Sequence, residues 1–195
     1  MFEISSAHKL LLGLVSLGLI TILGTSFIQN IKGEPLIQKH SHTNVAPSAN
    51  ENEMSNIMAE IGMHMNELKE NPNDLSMLIH TSELLMETKQ WQSAESFLKR
   101  AVKLDNKNAQ AYYLLGITLH SQDKNIEAAQ ALEQVISINN APSARYSLGV
   151  LYIYYLNKNE EGLRHFHEAL KNPSLANDLR SAIEMEVEKA SANTK

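Results

Sequence analysis

Tyr112-x-x-Leu115-Gly116-x-x-Leu119, followed by Ala128-x-x-x-Leu132-x-x-Val135, decides the fold of this 195-residue chain. An aromatic opens one helix, and a Leu-Gly pair follows where a neighbouring helix must come close. A small residue and larger apolar ones then share one face of a second helix. The pattern recurs. Thirty-four residues before Gly116, Ala128, Leu132 and Val135 stand Ser82, Ala94, Leu98 and Ala101. Thirty-four after the last three stand Gly162, Phe166 and Ala169, and Leu148-Gly149 lies 33 after Leu115-Gly116. A fixed period of this length, with small and large residues at constant offsets, predicts stacked helical hairpins.

These residues resemble the tetratricopeptide repeat (TPR) family, whose signature combines W-x-x-L-G-x-x-Y, A-x-x-x-F and a late Pro. Three repeats follow: 75–108 with Leu78, Ser82 and Leu85; 109–141, the best match; and 142–172 with Arg145, Leu148-Gly149 and Tyr152. Leu78 and Arg145 replace the opening aromatic, and Asn106 and Asn140 stand where Pro is usual. The third A–B turn carries one extra residue near Asn157. The expected fold class is all-α: an N-terminal transmembrane helix, then an α-solenoid of about three TPR hairpins with flanking capping helices.

Outward from the repeats, the first landmark is the run Leu10–Ile28, which contains no charged side chain. As a helix it spans roughly 28 Å, close to the hydrocarbon thickness of a bilayer. It reads as a membrane anchor after a short tail, 1–9. The rival, a cleaved signal peptide, would have a shorter apolar region and an A-x-A-like site, which Gly24-Thr25-Ser26 matches poorly. Lys9 on one side and Lys32 and Lys39 on the other leave the positive-inside count undecided. The short tail favours a cytoplasmic amino end with the repeats translocated. Residues 29–50, with Gly33, Pro35 and Pro47, read as a linker. His40-x-His42 within it is too few ligands for a metal site.

Residues 51–70 regain helical period, with Met54, Ile57, Met58, Ile61, Met65 and Leu68 on one face. This helix is expected to cover the open end of the first repeat. After Asn172-Pro173, Ser174 is expected to cap a terminal helix, 174–190, striped by Leu175, Leu179, Ala182, Ile183 and Val187. Such a helix shields the stacking face of the last repeat.

Composition narrows the function classes. Acidic residues outnumber basic ones, 22 to 17, with no basic block, so a nucleic-acid footprint is missing. The chain has no cysteine, which excludes disulfides and thiol chemistry. His167-Glu168 begins like H-E-x-x-H, but Lys171 occupies the second histidine position. His165 and His167 face different sides of a helix, and His64 between Glu60 and Glu67 offers too few partners for a metal. No nucleophile elbow or phosphate-binding loop occurs. The reading is therefore no enzyme, no catalytic residue, no metal ligand and no cofactor.

The remaining site is the concave wall that the first helices of TPR hairpins create. The resemblance places the second, fifth, ninth and twelfth repeat positions there. The expected partner-binding groove comprises Ile79, Glu83, Met86, Tyr113, Ile117, His120, Tyr146, Val150 and Ile153, with Tyr154 adjacent. Co-chaperones of this family that grip a C-terminal carboxylate use Lys and Asn at such positions. Here they hold Ile79, Glu83, Tyr113 and Ile117, so that clamp is not expected. Tyr113 and Tyr146 suit peptide capture by their contact area and polar tips. The competing expectation is that flanking helices fill the groove.

The plan resembles bacterial single-span proteins with an extracytoplasmic TPR domain. That resemblance implies a membrane-tethered scaffold for a protein or peptide partner, in a bacterial inner membrane with the repeats in the periplasm. It further implies service in c-type cytochrome maturation or another envelope assembly. The alternative is a structural subunit of a membrane complex with no free peptide groove.

Overall fold

A computed structural model describes residues 48–192, so the tail, the apolar run 10–28 and most of the linker lie outside the described residues. Among the described residues no helix is long and apolar enough to cross a membrane. The described residues form eight α-helices in succession: α1 Ser48–Glu70, α2 Leu75–Glu87, α3 Trp91–Leu104, α4 Ala109–His120, α5 Asn125–Asn139, α6 Pro142–Val150, α7 Asn159–Leu170 and α8 Asn177–Ala192. Helices α2–α3, α4–α5 and α6–α7 are the three hairpins, and the fold is an all-α, TPR-like solenoid.

The period is visible in the backbone. The second helices begin at Trp91, Asn125 and Asn159, each 34 after the last. Each hairpin turn has a left-handed residue at the same step: Lys89, Asp123 and Asn157, with φ of 58°, 60° and 56°. The first two hairpins open on matching caps, where Asp74 accepts from the Met77 amide and Asn108 from the Ala111 amide, both at 2.9 Å. Such caps contribute about 1 kcal/mol each. The third hairpin opens instead on Ala141 with Pro142 at the first helical position, where its missing N–H costs nothing.

That third hairpin also starts one residue early, because Asn140 adopts a left-handed conformation (φ 52°) and shortens the link from α5. The lost residue is restored within the same hairpin. Helix α6 passes into a π-helical turn, Leu151–Tyr155, which holds one residue more than an α turn. The extra residue expected near Asn157 is accommodated there, and α7 resumes the 34-residue step.

The core follows the repeat register. Ala94, Ala128, Leu98, Leu132, Phe166, Ala101, Val135 and Ala169 are all essentially inaccessible. A Cβ built on Gly116 would approach Leu132 Cγ at 2.8 Å; one on Gly162 would lie 2.7 Å from the Gly149 carbonyl oxygen. The small residues thus let paired helices touch backbone to side chain, as their spacing predicts.

Both flanking helices differ from expectation in detail. Helix α1 starts at Ser48 rather than 51. Of its apolar stripe, Ile61 and Leu68 are buried and Ile57 is partly covered, whereas Met54, Met58 and Met65 are exposed. Helix α1 docks only along the narrow line Ile57, Ile61 and Leu68, so Met65 stays exposed between two buried positions; α1, with 23 residues against 13 for α2, is also about 15 Å longer, which carries Met54 in its first turns beyond that contact. The terminal helix starts at Asn177, not Ser174, whose amide donates to Asn172 Oδ1 in the preceding turn. Its stripe still docks, with Leu179 and Ile183 buried, and Leu175 is buried in the turn before it.

One charged group lies inside the stack. Glu95 on α3 is 8% exposed and accepts from Lys124 Nζ (2.7 Å) and Gln122 Nε2 (2.8 Å) in the α4–α5 turn, with Lys99 Nζ at 2.6 Å. Burial pushes its carboxyl upward, but the bonds from Lys124, Lys99 and Gln122 outweigh that and hold it at about 2, against an ordinary 4.5. A depressed carboxylate contributes its stability above the unfolded pKa and loses it as pH falls toward the folded one. Unfolding free energy should therefore drop as pH falls from about 4.5 to about 2. The share from Glu95 is about 1–2 kcal/mol, discounted because both lysines reach water. Titrating stability of the parent chain and of Glu95→Gln checks this: the variant should lack that share of the acid slope.

Candidate partner-binding groove

Helices α2, α4 and α6 are the first helices of the three hairpins, and the expected groove residues lie on them and on the π turn that follows α6. Along this row the polar links run from one repeat to the next. Gln110 Nε2 on α4 donates to Glu83 Oε1 on α2 at 3.0 Å. At the far end of α4, the His120 ring meets Tyr155 of the π turn edge-on, with centroids 4.5 Å apart. His120 Nδ1 also lies 2.7 Å from Asn125 Oδ1.

The expected groove residues divide by exposure. Glu83, Ile117, His120, Val150 and Ile153 are partly exposed, and Tyr154 is 40% exposed. Ile79, Tyr113 and Tyr146 are buried, at 8%, 1% and 5%. Met86 packs against the cluster of Ile61, Leu84, Leu85 and Ala94 that joins α1 to the first hairpin. Ile153 turns toward α7, where its Cγ1 would lie 2.4 Å from a Cβ on Gly162.

Burial of the two tyrosines has identifiable partners. Burial raises the Tyr113 phenol, and a hydrogen bond with the Ser147 side chain on α6 offsets part of the rise. The Tyr146 ring stacks on Phe166 at 5.8 Å, and burial together with the Glu186 carboxylate pushes its phenol up to about 12. Glu186 belongs to α8 and also accepts from the Tyr154 hydroxyl, so the terminal helix lies against the third-repeat end of the row. Burial first, then that hydrogen bond, raises the Tyr154 phenol as well.

Sequence reasoning missed Tyr155. Tyr155 closes the π turn and meets the His120 ring, a contact that counting repeat positions along a regular helix does not give. The extra residue near Asn157 was the available signal. The two repeat-three histidines do diverge: His165 is buried and stacked on Tyr152 (5.4 Å, 11°), and His167 is exposed.

The tetratricopeptide repeat family model matches residues 85–151. No curated protein matches the chain in sequence. Among solved structures, MamA is similar with 21% identity and a TM-score of 0.60, over 77% of this chain and 95% of MamA. YrrB, described as a TPR protein with an unusual peptide-binding site, is 21% identical with a TM-score of 0.57, over 67% of this chain and 66% of YrrB. The Yersinia enterocolitica type III secretion chaperone SycD, solved with a peptide of the translocator YopD, is 11% identical with a TM-score of 0.58, over 62% of this chain and 95% of SycD. At these identities the likeness is one of fold.

Proposed function

We propose that this chain is a membrane-tethered scaffold that holds a peptide or protein segment against the inward row of α2, α4 and α6. The observation that carries the reading is the set of partly exposed side chains Ile117, His120 and Val150, bordered by Tyr154 and Tyr155. It offers apolar area with polar tips on a rigid helical wall, the combination that suits adaptable segment capture. Fold relatives solved with or described as binding peptides support it. The tether is the uncharged run 10–28, and the proposed setting is a bacterial inner membrane with the repeats in the periplasm. Maturation of c-type cytochromes or assembly of another envelope complex would need such a holding function.

One observation favours a second reading. Tyr113 and Tyr146 are buried, and α8 closes the third-repeat end of the row. A wall with its aromatics inside suits a structural subunit that docks folded neighbours. Photo-crosslinking separates the two. A benzophenone side chain replaces Ile117 or Val150 in the full chain, and Ser96 on α3 in a control. After irradiation in cells, salt-washed membranes should hold crosslinks from positions 117 and 150 to one partner, and none from 96. Crosslinks from 96 alone, or a chain washed off the membrane, would overturn the proposal. Ile117→Asp with Val150→Asp should weaken capture by roughly thirtyfold, the effect of losing a hot spot.

A further inference from the structure

Helix α1 meets α2 through a group of side chains that the groove does not use. Glu60 and His64 lie one turn apart on α1, so they share a face. His80 reaches them from α2. Glu60 Oε1 is 3.3 Å from His80 Nε2 and 4.0 Å from His64 Nε2. The imidazole centroids are 5.0 Å apart, tilted by 52°. One ligating atom from each residue lies within 4.8 Å of the other two.

We infer that Glu60, His64 and His80 bind one divalent transition-metal ion of the zinc class, which ties α1 to the first hairpin. Two imidazoles and a carboxylate are the three-residue set zinc accepts when its fourth position is left to water. Tetrahedral bonds of about 2.0–2.2 Å place ligand atoms roughly 3.4 Å apart. Side-chain rotations of around 1 Å bring the three atoms to that spacing.

Three further features fit an ion. His80 Nδ1 faces Glu83 Oε2 at 3.6 Å while its Nε2 faces Glu60. A carboxylate behind a ligating imidazole orients the ring and raises its basicity. Glu83 is in turn held by Gln110 at 3.0 Å, so the support extends into the second repeat. Second, the His64 nitrogen turned toward Glu60, Nε2, stands 4.0 Å from its Oε1, beyond hydrogen-bond distance, which leaves room for an ion between them. Third, with neutral imidazoles the two carboxylates leave the cluster negative, which attracts a dication.

The test uses the full-length chain in detergent, stripped with chelator and titrated with zinc chloride by calorimetry and thermal melting. One zinc per chain is expected here, with a higher melting temperature. His64→Gln, His80→Gln and Glu60→Gln should each abolish the rise and weaken binding at least about tenfold, and Glu83→Gln, which removes only the orienting group, about tenfold. His40→Gln with His42→Gln should leave it intact. Equal metal-free melting of His80→Gln and parent excludes misfolding, since that side chain is half exposed. Absence of zinc binding, binding indifferent to His64 and His80, or binding lost with His40 and His42 overturns the inference. Glu60, His64 and His80 lie outside the expected groove, so their variants separate zinc binding from partner capture.

Discussion

Truncating Phe166 to Ala should lower the unfolding free energy by about 3–5 kcal/mol, read by urea titration with an unchanged slope. The ring is fully buried, and it fills the space that Gly149 leaves open. A Cβ at Gly149 would fall 2.2 Å from Phe166 Cε1, far inside contact distance. Gly149→Ala should therefore cost about 1–3 kcal/mol by overpacking, even though Ala is the better helix former by about 1 kcal/mol. The decisive measurement is the cycle. In a Phe166→Leu background the same glycine change should cost less, with a coupling of roughly 0.5–3 kcal/mol. Additive effects would mean that ring and glycine do not share that space.

Tyr113→Ala should be comparably severe, about 3–5 kcal/mol. Its side chain is 1% exposed, between the second and third first-helices, and its hydroxyl bonds the Ser147 side chain. Tyr113→Phe removes only that hydroxyl and should cost about 1 kcal/mol. The pair of variants discriminates between a brace and a contact residue. A brace loses stability on truncation and little on losing its hydroxyl. A contact residue on an open wall would leave the melt nearly unchanged for both and lower affinity instead.

The hairpins were legible because their cause is local and periodic. Ala94, Ala128 and Gly162 sit where a helix pair must touch, and Leu98, Leu132 and Phe166 sit where it must be filled. The burial of Tyr113 and Tyr146 was not legible, because it depends on Ser147 and on Glu186, which arrive from elements whose docking no period encodes. His80 was missed for the same reason. Its partner Glu60 stands 20 residues away on a helix outside the repeats, and only the crossing of α1 over α2 joins them. The exposed methionines of α1 show the converse, since a helical stripe states which side is apolar but not how much of that side the neighbour covers.

The shortened α5–α6 link and the π turn of Leu151–Tyr155 act together as a phase slip and its correction. Between them, nine residues of α6 ride one step out of phase with the rest of the solenoid; after them the lattice of hairpins is back in step. Either lesion alone would have propagated, turning α7 and α8 away from the faces they now cover. The two therefore work as a pair, each cancelling the register shift of the other. The reward sits inside the correction: three tyrosines in one widened turn, Tyr152, Tyr154 and Tyr155, reach respectively Glu133 on α5, Glu186 on α8 and His120 on α4. A regular helix spaces its side chains 100° apart; the added residue lets one turn fan toward three neighbours. Idealising this repeat to a uniform length would restore symmetry and erase that junction.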